Sequence, residues 1–318
     1  MISIVIPVYN AEGTIEKNLK MLFKQIKKFK KEVEVIVVDD GSMDKTIDIL
    51  RKYPVKLITQ KHKGPAESRN KGWKKAKGEI VIFLDSDCKV GKNWLKNILK
   101  PFKDQKVAGV GVKYKTWNKD SWVARFTGYE IEQRHEKINK KTNFLASYST
   151  AYRRKILKKM NGFDIDFKTA SAEDNDLSYR IVKNGYDLIF LKNTYVWHKH
   201  PESLFNYFKK QFNHAFWRVF LYFRRPEFMT GDEYAGARTL IQPFLYILLP
   251  FTLFISKFIF LPLLIILLVI HIPTAKIPLR KGDYGVAAMI PFLFFVRGFV
   301  WSIGLIFGLI SFIKDKLL

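Results

Sequence analysis

The sequence is nearly devoid of cysteine, with one, Cys88, in 318 residues. That excludes an internal disulfide framework and suits a globular part facing a reducing compartment. Asp85 and Asp87 flank this residue, and their charge disfavours a thiolate, so Cys88 reads as a packed residue and not a nucleophile. Acidic residues are also scarce: 29 Asp and Glu stand against 55 Lys and Arg, a formal charge of +26. Nucleic acid is one partner for such a charge, but the lysines are scattered along helical faces and no groove-reading element accompanies them. No nucleic-acid role is expected. An anionic membrane surface or a Lys-rich proteome explains the charge better. A leader pattern is lacking too, because Ile2–Ile6 enters a strand pattern at once, so no signal peptide is expected. Long hydrophobic runs are missing from residues 1–240 and dominate from Ile241 onward.

What is present is a strand–helix alternation. Ile2–Val8, Glu34–Val38, Val55–Thr59 and Glu79–Leu84 are apolar strand runs. Between them lie helical periods at 12–29, Asp44–Lys52 and Ala66–Ala76. Continuous apolar strands separated by helices predict a mostly parallel α/β sheet covered on both faces. Two of these runs end in acids, Asp39-Asp40-Gly41-Ser42 and Asp85-Ser86-Asp87. The C-terminal ends of strands are where open α/β sheets bind ligands. Beyond Val107–Val112 the alternation breaks. A helix is predicted around Val123–Lys137, a strand over Phe144–Tyr152, and a helix opening at Ala172-Glu173-Asp174-Asn175-Asp176. Two short strands, Asp187–Leu191 and Tyr195–His198, and an aromatic helix from Ser203 to about Tyr222 follow.

Two carboxylates at i and i+2 after a buried strand, Asp85 and Asp87, can converge on a divalent cation through a tight turn. Hard oxygen ligands suit Mg2+ or Mn2+, which neutralise a leaving diphosphate. A solvated turn is the bland alternative for such a short triplet. Asp39–Ser42 also reads as a helix N-cap turn, which ligand binding does not preclude. Glu173 and Asp174 suit a first helical turn on electrostatic grounds, and equally a general base. His198 and His200 follow the last strand run, and either imidazole is a possible third ligand or a plain polar residue.

Four segments occur in series: Ile4-Val5-Ile6-Pro7-Val8-Tyr9-Asn10, Val37-Val38-Asp39-Asp40-Gly41-Ser42-Met43-Asp44, Ser68-Arg69-Asn70-Lys71-Gly72 and Phe83-Leu84-Asp85-Ser86-Asp87. Together they resemble the family 2 glycosyltransferases, and the resemblance covers about residues 2–200. It implies the GT-A fold, a Rossmann-like mixed sheet with helices on both faces. It further implies that Pro7, Tyr9 and Asn10 line the nucleotide, that Asp40, with Asp39 behind it, bonds base or ribose, and that Arg69 and Asn70 reach towards nucleotide and diphosphate. Asp85 and Ser86 would meet the donor, and Asp85, Asp87 and His198 the Mn2+ or Mg2+ ion. Glu173-Asp174 matches the acceptor-side motif, with Asp174 as the base of an inverting displacement and Glu173 beside it. Asp176, Arg180, Gln211, Trp217 and Arg218 are acceptor or diphosphate candidates. The family's Gln-x-x-Arg-Trp segment is present only in altered form, Gln211 to Arg218, which argues against a processive polymerase.

The expected organisation is a catalytic domain over 1–200, an amphipathic aromatic and basic interfacial helix with linker over 201–240, and a transmembrane region over 241–318. Residues 241–273 and 286–313 are the membrane candidates. The first is either one tilted span or two segments hinged near Ser256-Lys257, giving two or three segments in all. With the catalytic domain expected in the cytoplasm and a multi-pass arrangement in the cell membrane, positive charge at Lys276, Arg280 and Lys281 places that loop inside as well and favours the hairpin. The expected partners are a UDP-, GDP- or dTDP-linked sugar donor, a lipid-linked glycan acceptor on polyprenyl phosphate or diphosphate, and the membrane. A polyprenyl-phosphate sugar synthase and a non-catalytic membrane sugar-binding scaffold are the rival readings.

Overall fold

The computed structural model describes residues 1–167, 172–226 and 238–317. These fall into two compact units, Met1–Trp117 with Ile138–Lys199, and Asn118–Lys137 with His200–Leu318.

The first unit is built on one mixed sheet. Its strands are β1 (Ile2–Val8), β2 (Val33–Asp39), β3 (Lys56–Thr59), β4 (Ile80–Leu84), β5 (Cys88–Val90), β6 (Val107–Thr116), β7 (Lys141–Thr142), β8 (Ser149–Arg153) and β9 (Asp187–His198). The order is β3-β2-β1-β4-β8-β6-β9-β5, with β7 paired to β9. Helices α1 (Ile15–Ile26), α2 (Thr46–Leu50), α3 (Pro65–Lys75) and α4 (Trp94–Leu99) follow the early strands. Helix α5 (Trp122–Lys137) belongs to the second unit, and α6 (Arg154–Lys159) and α7 (Glu173–Lys183) return to the first.

β1 pairs in parallel with β2 and β4, as the apolar runs predicted, so 8–10, 39–42 and 85–87 all emerge at one edge. β8 is antiparallel to β4, and Leu84 faces Ser149, which brings Ser147 and Tyr148 to that same edge. β9 runs parallel to β6 and pairs His198 with Cys88. Strand direction therefore gathers every candidate group of this unit at one end of the sheet.

Two predicted strands prove to be one. β9 is continuous over Asp187–His198, with an irregularity where Val112 pairs Leu191 but the next residue, Lys113, pairs Tyr195. Lys192, Asn193 and Thr194, the gap between the two predicted strands, are instead an irregularity within β9 that leaves them unpaired with β6. Packing is close beneath the sheet: a Cβ at Gly72 of α3 would lie 2.3 Å from Val5 Cγ1.

In the second unit, α5 packs Val123 and Phe126 against Tyr207 and Phe294. The first unit therefore omits 118–137, whose apolar face is buried with the C-terminal helices. Helix α8 (Leu204–Arg224) starts at Ser203, whose hydroxyl accepts from Asn206 N. It runs alongside and in the same direction as α12 (Tyr284–Leu317), with Gln211 meeting Trp301 and Phe220 meeting Phe312. Helix α9 (Arg238–Ile255) ends at Ser256, whose hydroxyl caps α10 (Lys257–Val269) by accepting from Phe258 N at 3.2 Å. Tyr246 on α9 meets His271 beyond the end of α10, so the two helices form the hairpin hinged at Ser256. A short helix, α11 (Lys276–Arg280), leads to α12.

Lys257–Arg280 and Tyr284–Asp315 are long and apolar enough to cross a membrane. Phe254 is 86% exposed and Phe258 78%, among many exposed apolar residues of these helices. The cation inside α12, Arg297, is not isolated: it donates to Glu130 of α5 at 2.5 Å. Part of the 201–240 linker lies outside the described residues.

Candidate active site

On the nucleotide side, the ends of β1 and β2 are laced together. Asn10, in the left-handed region at φ 47°, donates its N–H to Ser42 Oγ and accepts Met43 N–H on Oδ1, both at 2.9 Å. Pro7 lies half-buried in β1 behind it. Asp39 accepts Gly41 N and Ser42 N on Oδ2, while its buried Oδ1 has no hydrogen-bond partner. Asp40 is different. Its Oδ1 accepts from Gln60 Nε2 and Lys63 N, and its Oδ2 from Gly64 N and His62 Nδ1, at 2.7–2.9 Å. A carboxylate with four protein donors has little left for a ligand. Asp40 thus organises the 60–64 loop, and Asp39, equally buried, organises the 41–42 turn with one oxygen. Tyr9 is exposed and stacks on His62, with centroids 4.1 Å apart. An open cleft of about 510 Å³ is lined by His62, Lys63, Gly64, Glu67 and Ile165.

The acidic turn is held from below. Asn18, fully buried on α1, donates Nδ2 to the carbonyls of Asp85 (2.9 Å) and Cys88 (2.7 Å). Asp85, Ser86 and Asp87 remain partly exposed at the edge. The bonds from Cys88 N to Asp85 O and from Lys199 N to Asp87 O fix the turn against the end of β9. His198 Nε2 lies 3.6 Å from Asp87 Oδ1, and ligand atoms of Asp87, Cys88 and His198 lie within 4.8 Å of one another. Burial, and then the Asp87 and Asp85 charges, push the Cys88 thiol well above its ordinary value, so it stays protonated. The usable donors are thus a carboxylate and an imidazole, with Asp85 adjoining. That set fits Mn2+ or Mg2+. His200, by contrast, is buried in the second unit and accepts no place in this cluster; its N–H donates to Asn118.

On the acceptor side, Glu173 and Asp174 open α7. Glu173 is buried, and its Oε1 accepts from Arg69 Nη1 at 3.0 Å. Asp174 accepts Ser147 N on Oδ2 (3.2 Å) and Asn175 N on Oδ1 (3.0 Å), and remains half-buried. Desolvation, and then the neighbouring Glu173 charge, push its pKa up to about 7, with Arg69 pulling the other way. A carboxylate so tuned can take a proton near neutrality.

Several predicted ligands turn inward. Arg69 is 2% exposed and bridges Glu173 to Asp85 Oδ1 at 2.9 Å. Asn70 is buried, accepts from Trp73 Nε1 and Phe163 N, and donates to Phe163 O, locking the turn that contains Gly162. The side of α3 that carries both packs against protein, so neither reaches an open nucleotide cleft as expected. Asp176 pairs with Arg180 at 2.7 Å, and Arg180 also donates to the carbonyls of Gly162 and Met160. Both therefore hold α7 in place and are not open to an acceptor. In the second unit, Gln211 accepts from Trp301 Nε1 and Arg218 donates to Tyr222 OH, both from buried positions, while Trp217 is half-buried among Phe216 and Phe220. Sequence reasoning missed Asn18, His62 and Ser147. Only Asn18 carried a signal, as a polar residue within the apolar stripe of its helix.

Residues 3–160 match the family model described as Glycosyl transferase family 2. The probable glycosyltransferase YdaM of Bacillus subtilis is 26% identical over 262 residues, covering 76% of this chain and 58% of YdaM, so the chain spans little more than half of that relative. The glycosyltransferase AglE of Haloferax volcanii is 30% identical over 220 residues, covering 66% of this chain and 70% of AglE. Among solved structures, a mannosyltransferase of Pyrobaculum calidifontis in complex with GDP-Man and Mn2+ superposes with a TM-score of 0.63 at 20% identity, covering 95% of this chain and 86% of that one. That likeness concerns the fold: a GT-A-type mixed sheet.

Proposed function

The chain belongs to the family 2 glycosyltransferases, and from that membership we propose that it is a membrane-associated, inverting hexosyltransferase. It moves one sugar from a nucleoside-diphosphate sugar to a hydroxyl of a lipid-linked glycan on polyprenyl phosphate or diphosphate. The observation that carries this reading is one sheet edge holding a metal-fitting acid turn and a carboxylate tuned to about 7, joined through one buried arginine. The Mn2+ complex of the Pyrobaculum mannosyltransferase supports a divalent ion as cofactor.

In this mechanism Tyr9 offers a ring face to the base, and Asp39 and Asp40 hold the loops beside it. Asp87 and His198, with Asp85 and Ser86 adjoining, would hold the divalent ion, which supplies charge neutralisation for the departing diphosphate. Asp174 takes the proton of the acceptor hydroxyl as that oxygen attacks the anomeric carbon opposite the leaving group. Displacement in one step needs no covalent intermediate and inverts the configuration. Glu173 stays bound to Arg69 and keeps Asp174 basic.

The exposed apolar α9–α10 hairpin and α12 support attachment to a membrane, where a lipid-borne acceptor is found. The catalytic unit is read as cytoplasmic, the compartment that holds nucleotide sugars and keeps Cys88 reduced. The reading is tested with the purified protein in detergent against UDP-, GDP- and dTDP-sugars, with thermal shift and nucleotide release as readouts. One donor should raise the melting temperature by mass action and be turned over. No shift and no release from any donor would leave the sugar-binding scaffold.

A further inference from the structure

We propose that Arg69 is a positioning residue shared between the donor-side acid Asp85 and the base pair Glu173–Asp174, and that it sets the proton affinity of Asp174. This rests on Asp174 being the base. The geometry is specific. One guanidinium reaches Asp85 Oδ1 through Nη2 at 2.9 Å and Glu173 Oε1 through Nη1 at 3.0 Å. Its side chain is 3% exposed, the face of Phe163 lies 5.7 Å away, and its Nε has no partner.

A buried cation without compensation is costly, and this one is retained among three carboxylates, Asp85, Glu173 and Asp174. Packing alone does not require it, because an apolar side chain of similar volume would fill the same space. What a fixed positive charge does here is local. The ion pair fixes the Glu173 carboxylate beside Asp174, and its charge favours a protonated Asp174. The charge of Arg69 itself favours an ionised Asp174. The base is therefore balanced between one anion and one cation that hold each other in place. The same guanidinium also fixes Asp85, so the donor turn and the acceptor helix keep a constant separation. Ser147 N and Asn175 N bond both oxygens of Asp174 and leave its orientation set independently of Arg69.

The two neighbours therefore act in opposite directions, and this separates electrostatic tuning from mere scaffolding. The experiment is a pH–rate profile on the full chain in detergent for Arg69→Gln, Arg69→Lys and Glu173→Gln, with donor affinity measured by thermal shift on the same samples. Arg69→Gln should move the acidic limb of kcat up by at least one pH unit, with about fivefold or greater loss at pH 7 and partial recovery at pH 9. Glu173→Gln should move the limb down. Arg69→Lys should return it to within a few tenths of a unit of the parent. Donor affinity should change less than about threefold throughout. A uniform fall in kcat with an unmoved limb in both Arg69→Gln and Glu173→Gln would overturn the proposal. If Arg69→Gln does not fold, the sign of the Glu173→Gln shift decides alone. Full activity in Asp174→Asn would instead overturn the assignment of the base, which is a distinguishable result.

Discussion

His198 Nε2 stands 3.6 Å from Asp87 Oδ1, although the two lie far apart along the chain. They meet because β5 pairs with the last residues of β9, in the register Cys88 with His198. An imidazole and a carboxylate so placed share one cation better than they satisfy each other. Asp87→Asn should therefore lower transfer at least about 100-fold, since charge stabilisation of the leaving group is among the larger catalytic contributions. His198→Ala should raise the Mn2+ concentration for half-maximal rate by about tenfold or more while sparing the rate at saturation. The check is a metal titration after chelation, and full activity in chelator would remove the ion from the reaction.

The pH dependence follows from Asp174. Its pKa lies near 7 in the folded chain against an ordinary value of 3.8. As a base it must be ionised, so kcat should rise through about pH 7 and level off above it. Stability has the opposite sign. The folded state holds a proton that the unfolded chain has released between about pH 4 and 7, so this group's contribution to stability is lost across that window as pH rises. Asp174→Asn should consequently abolish transfer, by a factor of about 100 to 10,000 for a general base. Its single acceptor oxygen leaves Ser147 N or Asn175 N unpaired at any pH, so its melting temperature should fall less below the parent's at pH 8 than at pH 5. An equal fall at both would mean that this carboxylate binds its proton alike in the folded and unfolded chain.

The neighbouring acids Asp39 and Asp40 should separate cleanly. Asp40 satisfies four donors from the 60–64 loop, so Asp40→Asn should cost stability, about 1–3 kcal/mol for the donors left unpaired. Asp39 holds its loop with one oxygen and keeps the other unpartnered. Asp39→Asn should leave the melting temperature within a few degrees and weaken nucleotide binding by about tenfold, measured by thermal shift with each diphosphate.

The sheet was legible because its strands are continuous apolar runs ending in acids, and the location of the site followed from strand direction. Register was not legible. Nothing in Lys192, Asn193 and Thr194 distinguishes an irregularity within one strand from a gap between two, so β9 read as two strands. Roles within a motif were equally hidden. Asp39 and Asp40 are adjacent and chemically alike, and only the folded chain shows that one holds the 41–42 turn and the other the 60–64 loop. Arg69 and Asn70 read as ligands from the motif they share with the family, which carries no burial, whereas this α3 is drawn against β1 by Gly72 and buries them. The helix at 122–137 was legible as a helix but not as part of the C-terminal unit, since its partners lie far along the chain.

Arg297 reads in sequence as a cation interrupting an apolar run, and the structure pairs it with Glu130. Burial alone would raise the Glu130 pKa, but Arg134, Arg297 and a hydrogen bond from Tyr207 OH hold it below the usual range. The two partners are not equivalent. Glu130 keeps Arg134 and Tyr207 if Arg297 is lost, whereas Arg297 loses its carboxylate if Glu130 is neutralised. Glu130→Gln should therefore be the costlier change, about 3–5 kcal/mol for a stranded buried charge. Arg297→Met should cost about 1–3 kcal/mol, the range for a lost charge-assisted hydrogen bond. The double variant should recover most of the difference, because a neutral pair of similar volume no longer buries a charge. Thermal unfolding in one detergent for the parent, both single variants and the double variant measures all three terms. Equal losses in the two single variants, or losses that simply add, would mean that Arg297 does not depend on Glu130.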